Sequence, residues 1–399
     1  MDLASIQTAL RDLHLDGWLF YDHHHRDPIA YRVLGINPPM CTRRWYYLVP
    51  ASGEPAKLVH RIESTKLDGL PGGIHQYSSW REQREKLHEI LRGSKNLAMQ
   101  YSALNDIPYV GLVDAGTVEL VQSFGIAVIS SADLVQLFEA RWPAEALALH
   151  LEAGKVVHAA IRQGFDAIQR AVRESKGIGE YDVQQVIAQT LAVGDVEADE
   201  SAIVAVNANC SNPHYSPTAD SSLPIKPGDF VLLDVFGKKR QPGAVYFDVT
   251  WTGFVGEEVP QRYAAIFAIV KEARDTAVDL VQTAMRQGRP LAGWEVDDVA
   301  RGVINRHGYG QYFVHRTGHS IGEDVHGNGA NIDNFETRDT RRIIPHTCFS
   351  IEPGIYLPEF GVRSEVDVYV EDHDARVTGE IQTAVVPILA VESASSWVA

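Results

Sequence analysis

Five side chains in the later part of the chain carry charge or an imidazole inside or beside apolar runs. They are Asp234 in VLLDVFG, Asp248 in VYFDVTW, His319 in RTGHSIG, Glu352 in FSIEPG and Glu365 in VRSEVDVYV. A carboxylate buried alone is expensive, so acids carried on apolar strands must be protonated, paired with cations of the chain, or neutralised by metal. Four carboxylates and one imidazole form an oxygen-rich set that suits Mn²⁺ or a similar octahedral ion. Two of the acids could bridge a pair of ions, and such a cluster makes a nucleophilic hydroxide from water. Singly, each acid is also what a turn or strand end carries; the five together point to hydrolytic metal chemistry.

Positioning them requires a sheet. Residues 1–140 alternate helical and strand patterns: a helix near Ser5–Leu13, strands at Gly17–Tyr21 and Arg44–Val49, a helix near Trp80–Leu91, and short strands around Asn96–Gln100 and Ile126–Ser130. This reads as a small α/β domain. At Arg141-Trp142-Pro143 the pattern changes. Proline starts a helix well, and Leu147, Leu151, Gly154, His158, Ile161, Phe165, Ile168 and Val172 then recur at spacings of four and three, so one long helix opens a second domain, 141–399. A helix near Tyr181–Leu191 follows, then strands at Ile203–Asn207, Phe230–Phe236 and Val245–Phe254. Helices at Gln261–Arg286 and Glu295–His307 come next, and strands at Cys348–Glu352 and Val362–Val370 close the domain. Strands grouped apart from helices predict an α+β arrangement with an antiparallel sheet. Residues from Ser393 onward read as a loose tail.

Composition bounds the partners. With 45% hydrophobic and 22% charged residues among 399, the chain is a globular protein, and a net charge of −16 repels phosphate backbones and anionic lipid, which argues against nucleic acid and membrane partners. Cys41, Cys210 and Cys348 are odd in number and far apart, as in reduced thiols. The opening MDLASIQTALRDLHLDGW reads as an amphipathic helix, not a signal peptide, and no run approaches a membrane span. These features predict a soluble, cytoplasmic protein.

The order Asp234, Asp248, His319, Glu352, Glu365, with the segments SIEPGIY and GVRSEVDVYV, resembles the metal-binding series of the pita-bread metallopeptidases. That family includes methionine aminopeptidase, proline-specific aminopeptidase and prolidase, and the likeness is strongest to Xaa-Pro dipeptidases. It runs from about residue 143 to 391, and the layout with a creatinase-like N-terminal domain covers nearly the whole chain. The resemblance implies two divalent ions per subunit, Mn with Co or Zn as alternatives. Asp234 would chelate one, Asp248 and Glu365 would bridge both, and His319 and Glu352 would complete the second. Glu352 would also act as general base while a bridging hydroxide attacks the bond before proline. His214 in NPHYSP and His326 in EDVHGNG match substrate-pocket and carbonyl-stabilising histidines, and His315 and Arg363 match pocket residues. Arg338 in ETRDTRRIIP stands where prolidases read the free carboxylate of a dipeptide, a task for a forked guanidinium. The implied substrate is a small Xaa-Pro peptide and the implied assembly a homodimer. The alternatives are an Xaa-Pro aminopeptidase acting on longer peptides and a non-catalytic interaction module of the same fold.

The chain departs from the family pattern at identifiable places. GKKRQPGAVY lengthens the hairpin between the two Asp, Val245 replaces a tyrosine, Trp251 and Arg316 replace an arginine and a glycine, and Gly327 replaces an acid. Gly318-His319-Ser320-Ile321-Gly322 also satisfies the G-x-S-x-G pattern of a serine hydrolase, which requires a strand before it and a helix after it. The run His23-His24-His25 reads as a polar loop.

Overall fold

The computed structural model describes residues 1–37 and 40–390; the expected tail from Ser393 lies outside the described residues. The chain separates into two compact units, Met1–Glu139 and Ala140–Ala399.

In the first unit, Asp2, Asp27, Ser79 and Asp114 accept backbone N–H groups at the starts of helices α1 (Leu3–Asp12), α2 (Pro28–Leu34), α3 (Trp80–Ile90) and α4 (Ala115–Gln122), satisfying donors the helices leave open. A single turn, α5 (Ala132–Val135), follows. The strands β1 (Gly17–Asp22), β2 (Trp45–Pro50), β3 (Ala56–His60), β4 (Gly73–Tyr77), β5 (Asn96–Met99) and β6 (Ala127–Ser130) form one mixed sheet in the order β4-β3-β2-β1-β5-β6. Along β1, Trp18 and Phe20 enter one apolar cluster and Leu19 and Tyr21 another, so both faces of the sheet are covered. His23–His25 form a bend that Asp22 organises, accepting the backbone N–H groups of His25, Arg26 and Asp27.

The second unit opens with α6 (Ala144–Arg173), followed by α7 (Glu180–Val193), α8 (Gln261–Arg286) and α9 (Gly293–Arg306). The buried stripe of α6 keeps the expected Gly154, His158, Ile161, Phe165 and Ile168 and departs from the expectation in its first turns and at Val172. It runs through Ala146, His150, Ala153, Gly154, Val157, His158 and Ile161, while Leu147 and Leu151 are only half-buried. Close packing explains the choice of small residues, because a Cβ on Gly154 would stand 2.5 Å from the Phe247 ring.

One sheet contains β7 (Val196–Glu197), β8 (Ile203–Val206), β9 (Phe230–Lys239), β10 (Phe247–Phe254) and β17 (Val386–Pro387), and its one parallel pair is β10 with β17. A second sheet runs β11 (Ser320–Ile321), β12 (Cys348–Ile351), β15 (Val366–Val370) and β16 (Ala375–Val377), all antiparallel, and β13 (Gly354–Tyr356) pairs with β14 (Gly361–Arg363). Three expected strands differ from their predicted limits by more than one residue. β9 extends to Lys239, and β10 begins at Phe247 because residues 240–246 form the hairpin connection. The run Val362–Val370 is interrupted at Ser364-Glu365, where the Glu365 N–H crosses to the Thr250 carbonyl of the other sheet at 3.3 Å.

Alternation then places the polar residues. Val231, Leu233 and Val235 of β9, with Phe247, Val249 and Trp251 of β10, enter one apolar cluster, while Phe349, Ile351, Val366 and Val368 enter another. The intervening residues of these strands, Asp234, Asp248, Thr250, Ser350 and Asp367, point to the opposite faces, giving a polar seam between two apolar bodies.

Candidate metal centre

The register of the β9–β10 hairpin sets Asp234 opposite Thr250 and Asp248 opposite Phe236, so both acids project from one face. Glu365 sits at the break between β14 and β15, and Glu352 immediately follows β12. His319 immediately precedes β11, on a segment that can approach β12 only because residue 318 is glycine: a Cβ there would stand 1.9 Å from the Ser350 carbonyl oxygen. The His319 N–H donates to Ser350 Oγ at 3.0 Å, and Glu352 N–H donates to the Thr317 carbonyl at 2.7 Å.

The structure gathers the five residues. His319 Nε2 lies 3.6 Å from Asp248 Oδ2 and 3.4 Å from Glu352 Oε1. One ligand atom each from Asp248, His319 and Glu365 fall within 4.8 Å of one another, the only such group of three or more found among the described residues. Asp234 joins through Arg363, whose Nη2 donates to Asp234 Oδ2 at 2.5 Å and whose Nε donates to Thr250 Oγ1 at 2.9 Å; Thr250 in turn donates to Glu365 Oε2 at 2.7 Å.

Packing acids this closely out of water opposes their ionisation. Burial pushes the Asp248 carboxyl well above its usual range, and the charges of Glu365, Asp234, Asp367 and Glu352 push the same way. Glu365 is raised by burial and by Glu352 and Asp234. Asp234 and Glu352 are raised by burial, with Arg363 working against the shift. Burial, with His326 and Arg316 nearby, holds the His319 imidazole well below its usual range, hence neutral. Oδ1 of Asp234 and Oδ1 of Asp248 are buried without hydrogen-bond partners. Hard oxygen donors, one neutral imidazole nitrogen and acceptor atoms left without donors fit divalent cations.

Around this cluster, His326 is surface-exposed, with its ring 4.4 Å from that of His319, and desolvation and Arg316 push its pKa down to about 4. His315 Nε2 bonds the Tyr356 hydroxyl at 2.7 Å, which also accepts from Arg363 Nη1 at 3.3 Å; burial drives His315 down to about 3. His214 is exposed, and its charge acts on Asp234 and His326. Arg338 is not brought to the cluster: it is exposed, its guanidinium 5.7 Å from the centroid of the Trp294 ring. Arg316 is the half-buried guanidinium whose charge is felt at His319, His326 and Glu352.

The remaining departures find physical accounts. Val245 is buried in a small cluster with Trp142, Tyr246 and Ile321. Trp251 turns away from the acids toward the His158 ring. At Gly327 a Cβ would meet Gly322 N and Ser320 Oγ at 3.1 Å, leaving little room for an acidic side chain. The serine-hydrolase pattern fails in context: Ser320 is buried, its hydroxyl accepts the Gly329 N–H, and bends rather than a helix follow.

Residues 148–372 match metallopeptidase family M24, and the chain belongs to that family. An Xaa-Pro dipeptidase of Lactobacillus helveticus is 34% identical over 214 residues, 53% of this chain and 52% of that protein. The chain thus spans about half the length of the curated Xaa-Pro dipeptidases it matches. An uncharacterized peptidase of Bacillus subtilis, YqhT, is 30% identical over 315 residues, 71% of this chain and 82% of that one. Among solved structures, dipeptidase PepE from Mycobacterium ulcerans superposes with a TM-score of 0.70 at 23% identity, covering 96% of each chain. The fold is therefore the α+β pita-bread architecture of this metal-dependent peptidase family, with its smaller N-terminal unit.

Proposed function

We propose that this chain is a metal-dependent dipeptidase that hydrolyses the peptide bond before a C-terminal proline. The observation that carries the reading is the convergence of Asp234, Asp248, His319, Glu352 and Glu365, with two buried carboxylate oxygens lacking donors. Relatives named Xaa-Pro dipeptidase support the substrate class.

In this reading Asp234, Asp248, His319, Glu352 and Glu365 would hold two divalent ions, with Asp248 and Glu365 as the acids that would be shared between them; manganese is the proposed metal, with cobalt or zinc as substitutes. When bound, such ions supply Lewis acidity toward the scissile carbonyl and toward a water molecule. Glu352, whose carboxyl burial holds above its usual range, accepts the proton of the attacking water and returns it to the departing proline nitrogen. His326, neutral and beside His319, donates an N–H to the oxygen that gains charge at the carbonyl. His214 is the proposed substrate-pocket histidine, His315 fixes Tyr356, and Tyr356 with Thr250 fixes Arg363 against Asp234. Arg338 is the proposed reader of the dipeptide carboxylate. No helix among the described residues is long and apolar enough to cross a membrane, and we take the protein as a cytoplasmic homodimer.

One observation favours a second reading. Arg338 stands over Trp294 rather than in the cluster, which suits an Xaa-Pro aminopeptidase that accepts longer peptides. Hydrolysis of Ala-Pro and Ala-Pro-Ala by protein stripped of metal and then given Mn²⁺ separates the two. Cleavage of the dipeptide alone, only with metal, is expected; cleavage of the tripeptide would move the assignment to aminopeptidase, and cleavage of neither would leave an interaction module.

A further inference from the structure

Behind the five ligand candidates stands a sixth carboxylate, Asp367, which is only 1% exposed. It lies two residues beyond Glu365 in β15, opposite Ser350 of β12, on the face turned from the apolar cluster of Val366 and Val368. Its Oδ2 accepts the backbone N–H of Asp248 at 2.8 Å, a bond that joins the two sheets at the peptide carrying a proposed bridging acid. Its Oδ1 is buried with no hydrogen-bond partner.

Among the described residues, no cation of the chain is placed to offset this carboxylate. His150 of α6, fully buried, comes within 3.9 Å through Nε2, beyond hydrogen-bond reach. Its Nδ1 bonds the Tyr246 carbonyl at 2.6 Å and its Nε2 the Thr378 hydroxyl at 2.7 Å. A carbonyl only accepts, so Nδ1 carries the hydrogen, Nε2 accepts from the hydroxyl, and the ring is satisfied while neutral. From β12, Ser350 spends its hydroxyl between His319 N–H and Glu352. Arg363 is engaged by Asp234, Thr250 and Tyr356.

A buried carboxylate with one donor and no cation is costly unless opposite charge is supplied nearby, and the peptide it holds belongs to a proposed metal ligand. We infer that Asp367 is a positioning residue for the metal centre: its carboxylate holds the Asp248 peptide and contributes negative charge that tightens divalent-cation binding. This rests on the metal-dependent reading above. Groups behind the ligands orient them and raise affinity in this way, and their loss costs roughly 10–100-fold.

Metal-free wild type, Asp367→Asn and Asp367→Ala are titrated with Mn²⁺, counting free ion by electron paramagnetic resonance and melting each apo protein alongside. Asparagine keeps an acceptor for the Asp248 N–H and nearly the same shape while removing the charge. The expected result is two ions bound by Asp367→Asn with affinity lower by about tenfold or more, a further loss in Asp367→Ala, and a metal-free Asp367→Asn that melts no lower than wild type. Equal affinity in wild type and Asp367→Asn overturns the inference and leaves the metal centre standing. A loss of affinity that merely follows a fall in apo melting temperature makes Asp367 a fold residue and also overturns it. Absence of Mn²⁺ binding by wild type overturns both this inference and the reading beneath it.

Discussion

Removing Arg363 tests how the cluster survives without metal. The side chain is 3% exposed and donates to Asp234, Thr250 and Tyr356. Its bond to Asp234 is charge-assisted, and deleting one partner of a buried ion pair costs about 3–5 kcal/mol because the other charge is left uncompensated. The lower end applies here, since the Asp234 carboxyl, already pushed upward by burial, can take up a proton. Arg363→Ala is therefore expected to destabilise the metal-free second unit by about 3 kcal/mol, a fall of roughly 6–12 °C in Tm for a unit of this size. Saturating Mn²⁺ gives Asp234 a cation again and should narrow the gap to wild type. The assay is differential scanning calorimetry of both proteins with and without Mn²⁺. A metal-free variant that melts with wild type, or a gap that Mn²⁺ leaves unchanged, would refute the reasoning.

Other changes separate the roles. Asp248→Asn removes a proposed bridging charge, so metal content by atomic emission and Ala-Pro turnover should fall together, by more than the roughly 10–100-fold that outer residues cost; full activity in this variant would end the two-ion proposal. Arg338→Ala should raise KM for Ala-Pro about tenfold at unchanged metal content, the cost of one charge-assisted hydrogen bond; an unchanged KM would return Arg338 to a surface role. His150 is buried with its pKa lowered to about 4, so the unfolded chain takes up its proton near 6.5 while the folded chain does not. Its contribution is complete above about pH 6.5 and is lost as pH falls toward 4, about 2 kcal/mol by pH 5. Urea unfolding at pH 7.5 and 5 should show this loss in wild type and its absence in His150→Gln; equal pH dependence in the two would contradict it.

The long elements were legible because their periodicity spans many turns. The helix expected at Gln261–Arg286 is found with those limits, and the long helix after Pro143 is found at Ala144–Arg173. Its middle follows the expected stripe through Gly154, His158, Ile161, Phe165 and Ile168, while in its first turns Leu147 and Leu151 give way to Ala146 and to His150, which packs against the Phe247 ring. Strands of two or three residues, such as Ser320–Ile321 and Gly361–Arg363, carry no period and are fixed only by their partners. The five ligand candidates could be read because charge within apolar runs is conspicuous. Asp367 carries the same signal, two positions after Glu365 in one apolar strand, but the metal-binding series that the resemblance implies ends at Glu365. Thr250, Tyr356 and His150 were invisible for a different reason: their importance lies in bonds to residues about a hundred or more positions away or across a turn of the chain, which no local pattern records.

The most direct test of the central claim is anomalous scattering from crystals of the protein grown or soaked with Mn²⁺, recorded on both sides of the manganese absorption edge. Two peaks between Asp234, Asp248, His319, Glu352 and Glu365, with Asp248 and Glu365 touching both, are the predicted result. No peak at these residues, or manganese bound only elsewhere on the chain, would contradict the account.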